Sequence, residues 1–476
     1  MANVRKKGVT MKKIGILSFS DGRKRVHESL AGGIMEQRDR VAEALEKTGE
    51  ISVMAGDEII WNARIARQQA ATMNAEQVDG IIFNIPVFAF PNFVQIAATM
   101  AEGPFLALSP VHGKLPGLGG LLAAVNLLHQ NGIACDKVYG DIEDPEILHK
   151  CLVFARASYA VSRIKGQVYG LIGGRSIGMG TGAVNPDLWM RTFGIDVEHV
   201  DQLDILRRAE KVDAARVESA FEWLNLHMGS IHYDDDKASG EAIKQQIRCY
   251  YATKEIIEEK CMDFVGVKCH YEMSEYYVAQ CLSAAFMNDP YDWDGAKEPT
   301  VFSCEADSDG ALTMQLMKLV SGKPVMFADF RHYDAKDGVF VFCNCGAMAT
   351  WFAGQSDRPE ENLKNVSLYP LIPKYAGKGC HVQYVAQNGA MTLGRLTRSQ
   401  CGFKMTVFRG ECIKFPPEKP AETCMNWPHS YIKVDVDPME LVARYENNHV
   451  HGILGDYVDE LEKVCSMAGI QCEVIE

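Results

Sequence analysis

The stretch Lys13-Ile-Gly-Ile-Leu-Ser-Phe19, followed by the turn Ser20-Asp21-Gly22 and a helical pattern from Arg25 to Lys47, decides the fold class. A short apolar run that ends in a turn and passes into a helix is one half of a βαβ unit. The same phrase recurs outward along the chain. Ile51–Met54, Gly80–Asn84, Phe105–Leu108 and Lys137–Tyr139 read as further strands, with helical patterns between them. Strands spaced by helices of this length predict a parallel, doubly wound sheet, whose ligands sit beyond the carboxyl ends of the strands. A helix over Pro145–Ile164 leads into a second series with strands Gln167–Ile172, Val197–Val200, Phe264–Val267 and Thr300–Ser303. Helices are expected over Asp187–Phe193, Val212–Leu224 and Gly240–Lys260.

After about residue 320 the texture changes. Short β-rich runs at Val339–Cys343, Cys380–Val385, Phe403–Phe408 and Tyr431–Val436 are separated by Gly, Pro and Asn, the pattern of a mainly β domain such as a barrel. A helix over Tyr457–Met467 and a strand over Gln471–Ile475 follow. The expected fold is therefore α/β: two doubly wound parallel-sheet domains, 1–165 and 166–320, and a β-rich, barrel-containing C-terminal domain, 321–476.

Composition narrows the partners. The 476 residues are 47% hydrophobic and 23% charged, ordinary values for globular domains. With 49 Lys and Arg against 62 Asp and Glu, the net charge of −13 opposes binding to nucleic acid or to a membrane surface. No apolar stretch reaches the roughly 18–20 residues of a membrane-spanning helix. The basic N-terminus lacks a small-residue cleavage pattern, so no signal peptide is expected. Fifteen scattered cysteines, an odd number, indicate a reducing, cytoplasmic setting.

Three constellations carry possible chemistry. Gly170-Leu-Ile-Gly173-Gly174, continuing to Gly182, lies between a strand and a helix where a dinucleotide loop would sit, but its spacing fits G-x-G-x-x-G poorly. A structural turn next to a cleft is the better reading. The second is acidic: Glu305 follows the strand Thr300–Ser303, with Asp307 and Asp309 behind it, and Asp329 ends the run Val325–Asp329. Carboxylates at the ends of two strands suit a hard divalent cation such as Mn²⁺ or Mg²⁺, with one imidazole as a further ligand. The third is Asn447-Asn448-His449-Val450-His451. Lys268 and His270 could line the same cleft, and Phe88 and Phe90 sit in a Pro-bounded loop. Motifs for serine hydrolases, zincins, P-loops and EF-hands are lacking.

Taken together, the segments IGILSFSDGRKRVHESL, LVFARASYAVSRIKGQVYGLIGGRSIGMGTG, DWDGAKEPTVFSCEADSDGALTM, SGKPVMFADFRHYD and NNHVHGILGD resemble the L-fucose isomerase family, within the wider fucose/arabinose isomerase group. The resemblance implies two doubly wound units and a C-terminal domain with a β-barrel. It implies a homo-oligomer, a trimer or hexamer, that interconverts an aldose and its ketose with Mn²⁺, with Co²⁺ or Mg²⁺ as substitutes. Carried over by motif, Glu305, Asp329 and His449 are the metal ligands, and Glu305 and Asp329 are also the catalytic pair. Cys345 falls near the position of the additional His of the arabinose branch, which aligns this chain with the fucose branch.

The chemistry is consistent with those residue types. Moving a carbonyl between C1 and C2 requires abstraction of a carbon-bound proton, helped by a Lewis acid and a general base through a cis-enediolate. Phe88, Lys268, His270, Asn448 and His451 are the expected substrate contacts, and no cofactor-binding loop is required. Leu17 and Phe88 stand where the family carries Arg and Trp, so the sugar is open: L-fucose, D-arabinose, or a sulfonated sugar such as sulfoquinovose accommodated by Lys268 and His270. The competing readings are a non-catalytic sugar-binding protein on the same scaffold and a nicotinamide-dependent oxidoreductase using the Gly-rich turn.

Overall fold

The computed structural model describes residues 11–476 except 401. Residues 1–10, on which much of the signal-peptide expectation rests, lie outside the described residues. The chain divides into two compact units, one of residues up to 163 together with 459–468, the other of 164–458 with 469–476. No helix among the described residues is long and apolar enough to cross a membrane.

In the first unit five parallel strands, Lys12–Ser18, Ile51–Ala55, Gly80–Asn84, Phe105–Ser109 and Asp136–Tyr139, are arranged in the order second, first, third, fourth, fifth. Helices Lys24–Glu46, Ala63–Ala75, Pro91–Met100 and Leu118–Gln130 make the crossovers. Gly80–Asn84 and Phe105–Ser109 are buried on both faces, as continuous apolar runs in a covered parallel sheet should be. Their alternation separates two cores: Ile81 and Phe83 pack in one, Ile82 in the other. Residues 459–468 close this unit through Glu460, which is buried beside Arg156 at 2.7 Å.

The second unit holds a four-stranded parallel sheet, ordered Phe302–Cys304, Phe264–Val267, Val168–Ile172, Asp196–Val200. It also holds a barrel of six antiparallel strands: Gly389–Ser399, His449–Leu454, Met326–Asp334, Val339–Cys343, His429–Lys433 and Gly402–Cys412. The first and last of these pair along their whole lengths and close it, and Gln471–Ile475 adds in parallel to Gly402–Cys412. Closure removes the exposed edges of an open sheet. Helix Ser308–Ser321 runs between sheet and barrel and is buried on nearly every side.

One strand is additional to the sequence reading and one run changes its place. Gly389–Ser399 carries Arg395 in the middle of an apolar run, a polar interruption that hides the strand's alternation, yet Arg395 is wholly buried. Cys380–Gln383 joins Ser367–Pro370 and Ser230–Ile231 in a separate three-stranded sheet rather than the barrel.

Candidate active site

Glu305 stands beyond the carboxyl end of the parallel strand Phe302–Cys304, where the sequence pattern expects a ligand. It and Ala306 take φ of 58° and 52°. Two consecutive non-glycine residues in the left-handed region are strained, a feature that concentrates at functional sites. Gly266, on the adjacent strand, makes room for this turn: a Cβ there would lie 3.2 Å from the Ala306 Cα. Asp307 then caps helix Ser308–Ser321 by accepting from the Gly310 N–H at 3.1 Å.

The barrel supplies the other groups. Asp329 and His449 are directly opposed on neighbouring antiparallel strands, so their side chains share a face. His449 Nε2 lies 3.3 Å from Asp329 Oδ1 and 3.6 Å from Glu305 Oε2. Residues from three separate segments therefore meet around one imidazole nitrogen. His449 Nδ1 lies 2.7 Å from Asp307 Oδ2. Because Asp307 also receives two N–H groups of Arg395 at 2.6 and 2.7 Å, it is an ionised acceptor and Nδ1 must be the donor. That leaves Nε2 facing the two carboxylates; it is buried and has no aligned hydrogen-bond partner.

Charge follows this geometry. Burial opposes ionisation of Asp307, but Arg395 and His449 outweigh it and hold its carboxyl well below the usual range. Burial pushes Glu305 up to about 7, against the opposing pull of His449. Burial alone would lower His449, yet Asp329 and Asp307 carry it up to about 10. Asp309 pairs with Arg398 at 2.9 Å and is raised to about 6, chiefly by burial.

His449 lies against both carboxylates, and among the described residues no group of three His, Cys, Asp or Glu has the spacing that would hold a metal ion. Their chemistry nevertheless fits one. Two carboxylates and a neutral imidazole form a hard-to-borderline donor set for Mn²⁺, Mg²⁺ or Co²⁺. The tautomer that such an ion requires is held by Asp307 from behind.

The other expected residues are placed as follows. His270 Nε2 is 3.5 Å from Glu305 Oε1 and 3.2 Å from the Tyr375 hydroxyl. Asn448 donates to Asp329 Oδ1 at 3.3 Å. Lys268 is taken up by Glu272 at 2.7 Å. His451 is wholly buried, its Nε2 accepting from Arg395 at 3.0 Å. Phe88 is 51% exposed and belongs to the first unit. The Gly-rich segment forms a turn with Gly173, Gly174 and Gly178 at positive φ. Its Ser176 donates to the His270 carbonyl at 2.8 Å.

Several residues of the site escape a sequence reading. Asn344 donates to Asp329 Oδ2 at 3.0 Å. A cavity of about 90 Å³ beside Glu305 and Asp329 is lined by Arg331, Cys343, Cys345, Lys374, Tyr375 and Trp427 as well. A lone Tyr or Trp in a loop carries no local sign of a site. The charged residue inside the apolar run MTLGRLT was the one available hint of Arg395.

Comparison with known proteins adds to this geometry. Residues 11–166 match the model of the first N-terminal domain of L-fucose isomerase, and residues 342–476 that of its C-terminal domain. The chain is 24% identical over 370 residues to the L-fucose isomerase of Klebsiella pneumoniae (strain 342). It is 25% identical over 370 residues to that of Salmonella paratyphi C (strain RKS4594). Each alignment covers 70% of this chain, and the chain spans 63% of the length of these relatives.

Proposed function

The chain belongs to the L-fucose isomerase family, and from that premise we propose that it is a divalent-metal-dependent aldose–ketose isomerase. One observation carries the proposal: His449 Nε2 faces the Glu305 and Asp329 carboxylates while Asp307 holds its Nδ1. Glu305, Asp329 and His449 would hold the ion, Mn²⁺ in this reading with Co²⁺ or Mg²⁺ as substitutes. When bound it supplies a Lewis acid to the sugar's C1 and C2 oxygens. Glu305 and Asp329 form the proton-transfer pair, removing the proton from one carbon and returning it to its neighbour through a cis-enediolate. Asp307 and Arg395 keep the His449 tautomer fixed, and Asn344 and Asn448 orient Asp329.

Of the expected sugar contacts we retain His270 and Asn448, each beside a catalytic carboxylate. Glu272 engages Lys268 and Arg395 engages His451, which weighs against their meeting the sugar. Exposed Phe88 remains the residue that a neighbouring subunit would contribute in a trimer or hexamer. Cysteine usage supports a cytoplasmic enzyme, and division of the chain near residues 165 and 320 belongs to the same proposal. The substrate range spans L-fucose, D-arabinose and charged aldoses.

The test is metal-stripped protein re-supplied with Mn²⁺ and offered a panel of aldoses in D₂O, with exchange at C2 read by NMR. Mn²⁺-dependent deuterium incorporation with ketose formation is expected. Sugar binding without metal and without exchange would instead identify a non-catalytic binding protein.

A further inference from the structure

Arg331 and Lys374 line the same cavity as Glu305 and Asp329. Arg331 is the extra residue of a β-bulge: Phe330 pairs with Phe342 and His332 with Val341, leaving Arg331 unmatched two positions beyond Asp329. Bulges re-aim a side chain at the rim of a barrel. Lys374 reaches the cavity from the loop that also supplies Tyr375. The Arg331 guanidinium lies 5.4 Å and the Lys374 ammonium 5.2 Å from the centroid of one ring, Trp427. Trp427 is 5% exposed, and its indole N–H, a donor only, is buried with no hydrogen-bond partner. Among the described residues neither cation has a carboxylate partner.

Like charges gathered at one aromatic ring repel each other unless an anion joins them. Glu305 and Asp329 do not serve as that anion when the proposed divalent ion is in place. Two carboxylates, a neutral imidazole and a divalent cation sum to zero; the Cys345 thiol in the same cavity, held well below its usual range by hydrogen bonds from Cys281 and Cys304, is met by His270, so Arg331 and Lys374 remain uncompensated. A neutral sugar leaves that imbalance standing, a terminal sulfonate or carboxylate halves it, and a terminal phosphate, with about −1.5 to −2 charge, nearly cancels it.

Building on the isomerase reading, we propose that Arg331 and Lys374, with the Trp427 indole N–H, bind a negatively charged group on the sugar, so that the substrate is an anionic aldose. The shared chemistry is a terminal oxyanion: phosphate, sulfonate or carboxylate. It takes its positive partners from Arg331 and Lys374, not from Lys268, whose charge Glu272 already meets. Arg331 and Lys374 are specificity residues and take no part in the proton transfer assigned to Glu305 and Asp329.

The experiment measures binding by calorimetry to the Mn²⁺-supplied protein, with C2 exchange in D₂O followed in parallel. The probes are D-glucose, L-fucose, D-glucose 6-phosphate, D-glucuronate and 6-deoxy-6-sulfo-D-glucose. At least one anionic aldose should bind about tenfold or more tightly than both neutral sugars, as charge-assisted hydrogen bonds allow, and the advantage should shrink with added salt. The three anionic arms identify the group. In the double variant Arg331→Gln/Lys374→Gln the advantage should vanish, while the melting temperature stays within error because both side chains are exposed and Mn²⁺ affinity does not fall, since two cations near the ion are removed. Equal or tighter binding of a neutral aldose overturns the proposal, as does an advantage that survives the double variant. Exchange on neutral sugars alone would sink it and leave the isomerase reading standing. Anion-selective binding without exchange on any sugar would do the reverse, and failure of every sugar to bind rejects both.

Discussion

The Nδ1 of His449 donates to Oδ2 of Asp307 at 2.7 Å, and Arg395 grips both oxygens of that carboxylate from the other side. All three side chains are completely buried. This relay fixes which imidazole nitrogen faces Glu305 and Asp329.

Asp307→Asn should weaken Mn²⁺ binding by about 10–100-fold, because the partner that orients a ligating histidine tunes affinity on that scale. It should also destabilise the protein by roughly 3–5 kcal/mol, since Arg395 is left as a buried, unpaired cation. Calorimetric Mn²⁺ titration and denaturant unfolding measure the two effects separately. Unchanged affinity in a folded variant would remove Asp307 from the orienting role.

Glu305→Gln should abolish C2 exchange, a loss of at least about 10²-fold for a missing general base. Stability at neutral pH should hold or rise, because burial disfavours the charge on this carboxyl and a neutral amide avoids it. Thermal melting beside deuterium exchange checks both.

Gly310→Ala places a Cβ 2.6 Å from Asp307 Oδ2 and 2.9 Å from His451 Nε2. Neither group has room to yield, since both belong to the Arg395 network. A loss of about 1–3 kcal/mol is expected, with weaker Mn²⁺ binding alongside it. Gly322→Ala is a poor control because its φ of +67° adds strain, whereas Gly180→Ala meets nothing within 4 Å and should be nearly silent.

Acid should destabilise the second unit through buried neutral histidines. Burial pushes His381 and His429 each down to about 4. His381 Nδ1 faces the Cys345 carbonyl at 2.6 Å and His429 Nδ1 faces the Trp427 carbonyl at 2.9 Å, contacts that the neutral tautomers satisfy by donating. A depressed folded-state value means the unfolded chain binds protons first as pH falls. The contribution is complete above pH ~6.5 and is lost on the way down through pH ~4, by about 3 kcal/mol for each residue. Urea unfolding across that window should show the loss, and His429→Gln should make it smaller.

The alternation of strand and helix was legible because it is local. Ile81, Ile82 and Phe83 announce a covered strand by their own apolarity, and the turn after Phe19 by Ser20-Asp21-Gly22. The acidic turn at Glu305 could be singled out for the same reason, since a carboxylate after a strand is visible in one dimension; Asp329, expected at a strand end, instead lies inside the strand Met326–Asp334, whose apolar run is broken there by polar residues. What one dimension hides is compensation at a distance. Arg395 looks like a surface residue until Asp307, 88 positions away, cancels its charge in the core. Asp329 and His449, 120 positions apart, become neighbours only through a strand register. Lys268 resembles an available cation in the sequence and is taken by Glu272, while Arg331 becomes available through a bulge. Amino-acid order determined where apolar surface had to be buried, and hence the layered fold. Only the tertiary structure decided which charges meet, because Coulombic and hydrogen-bond energies depend on distances through space that sequence separation does not set.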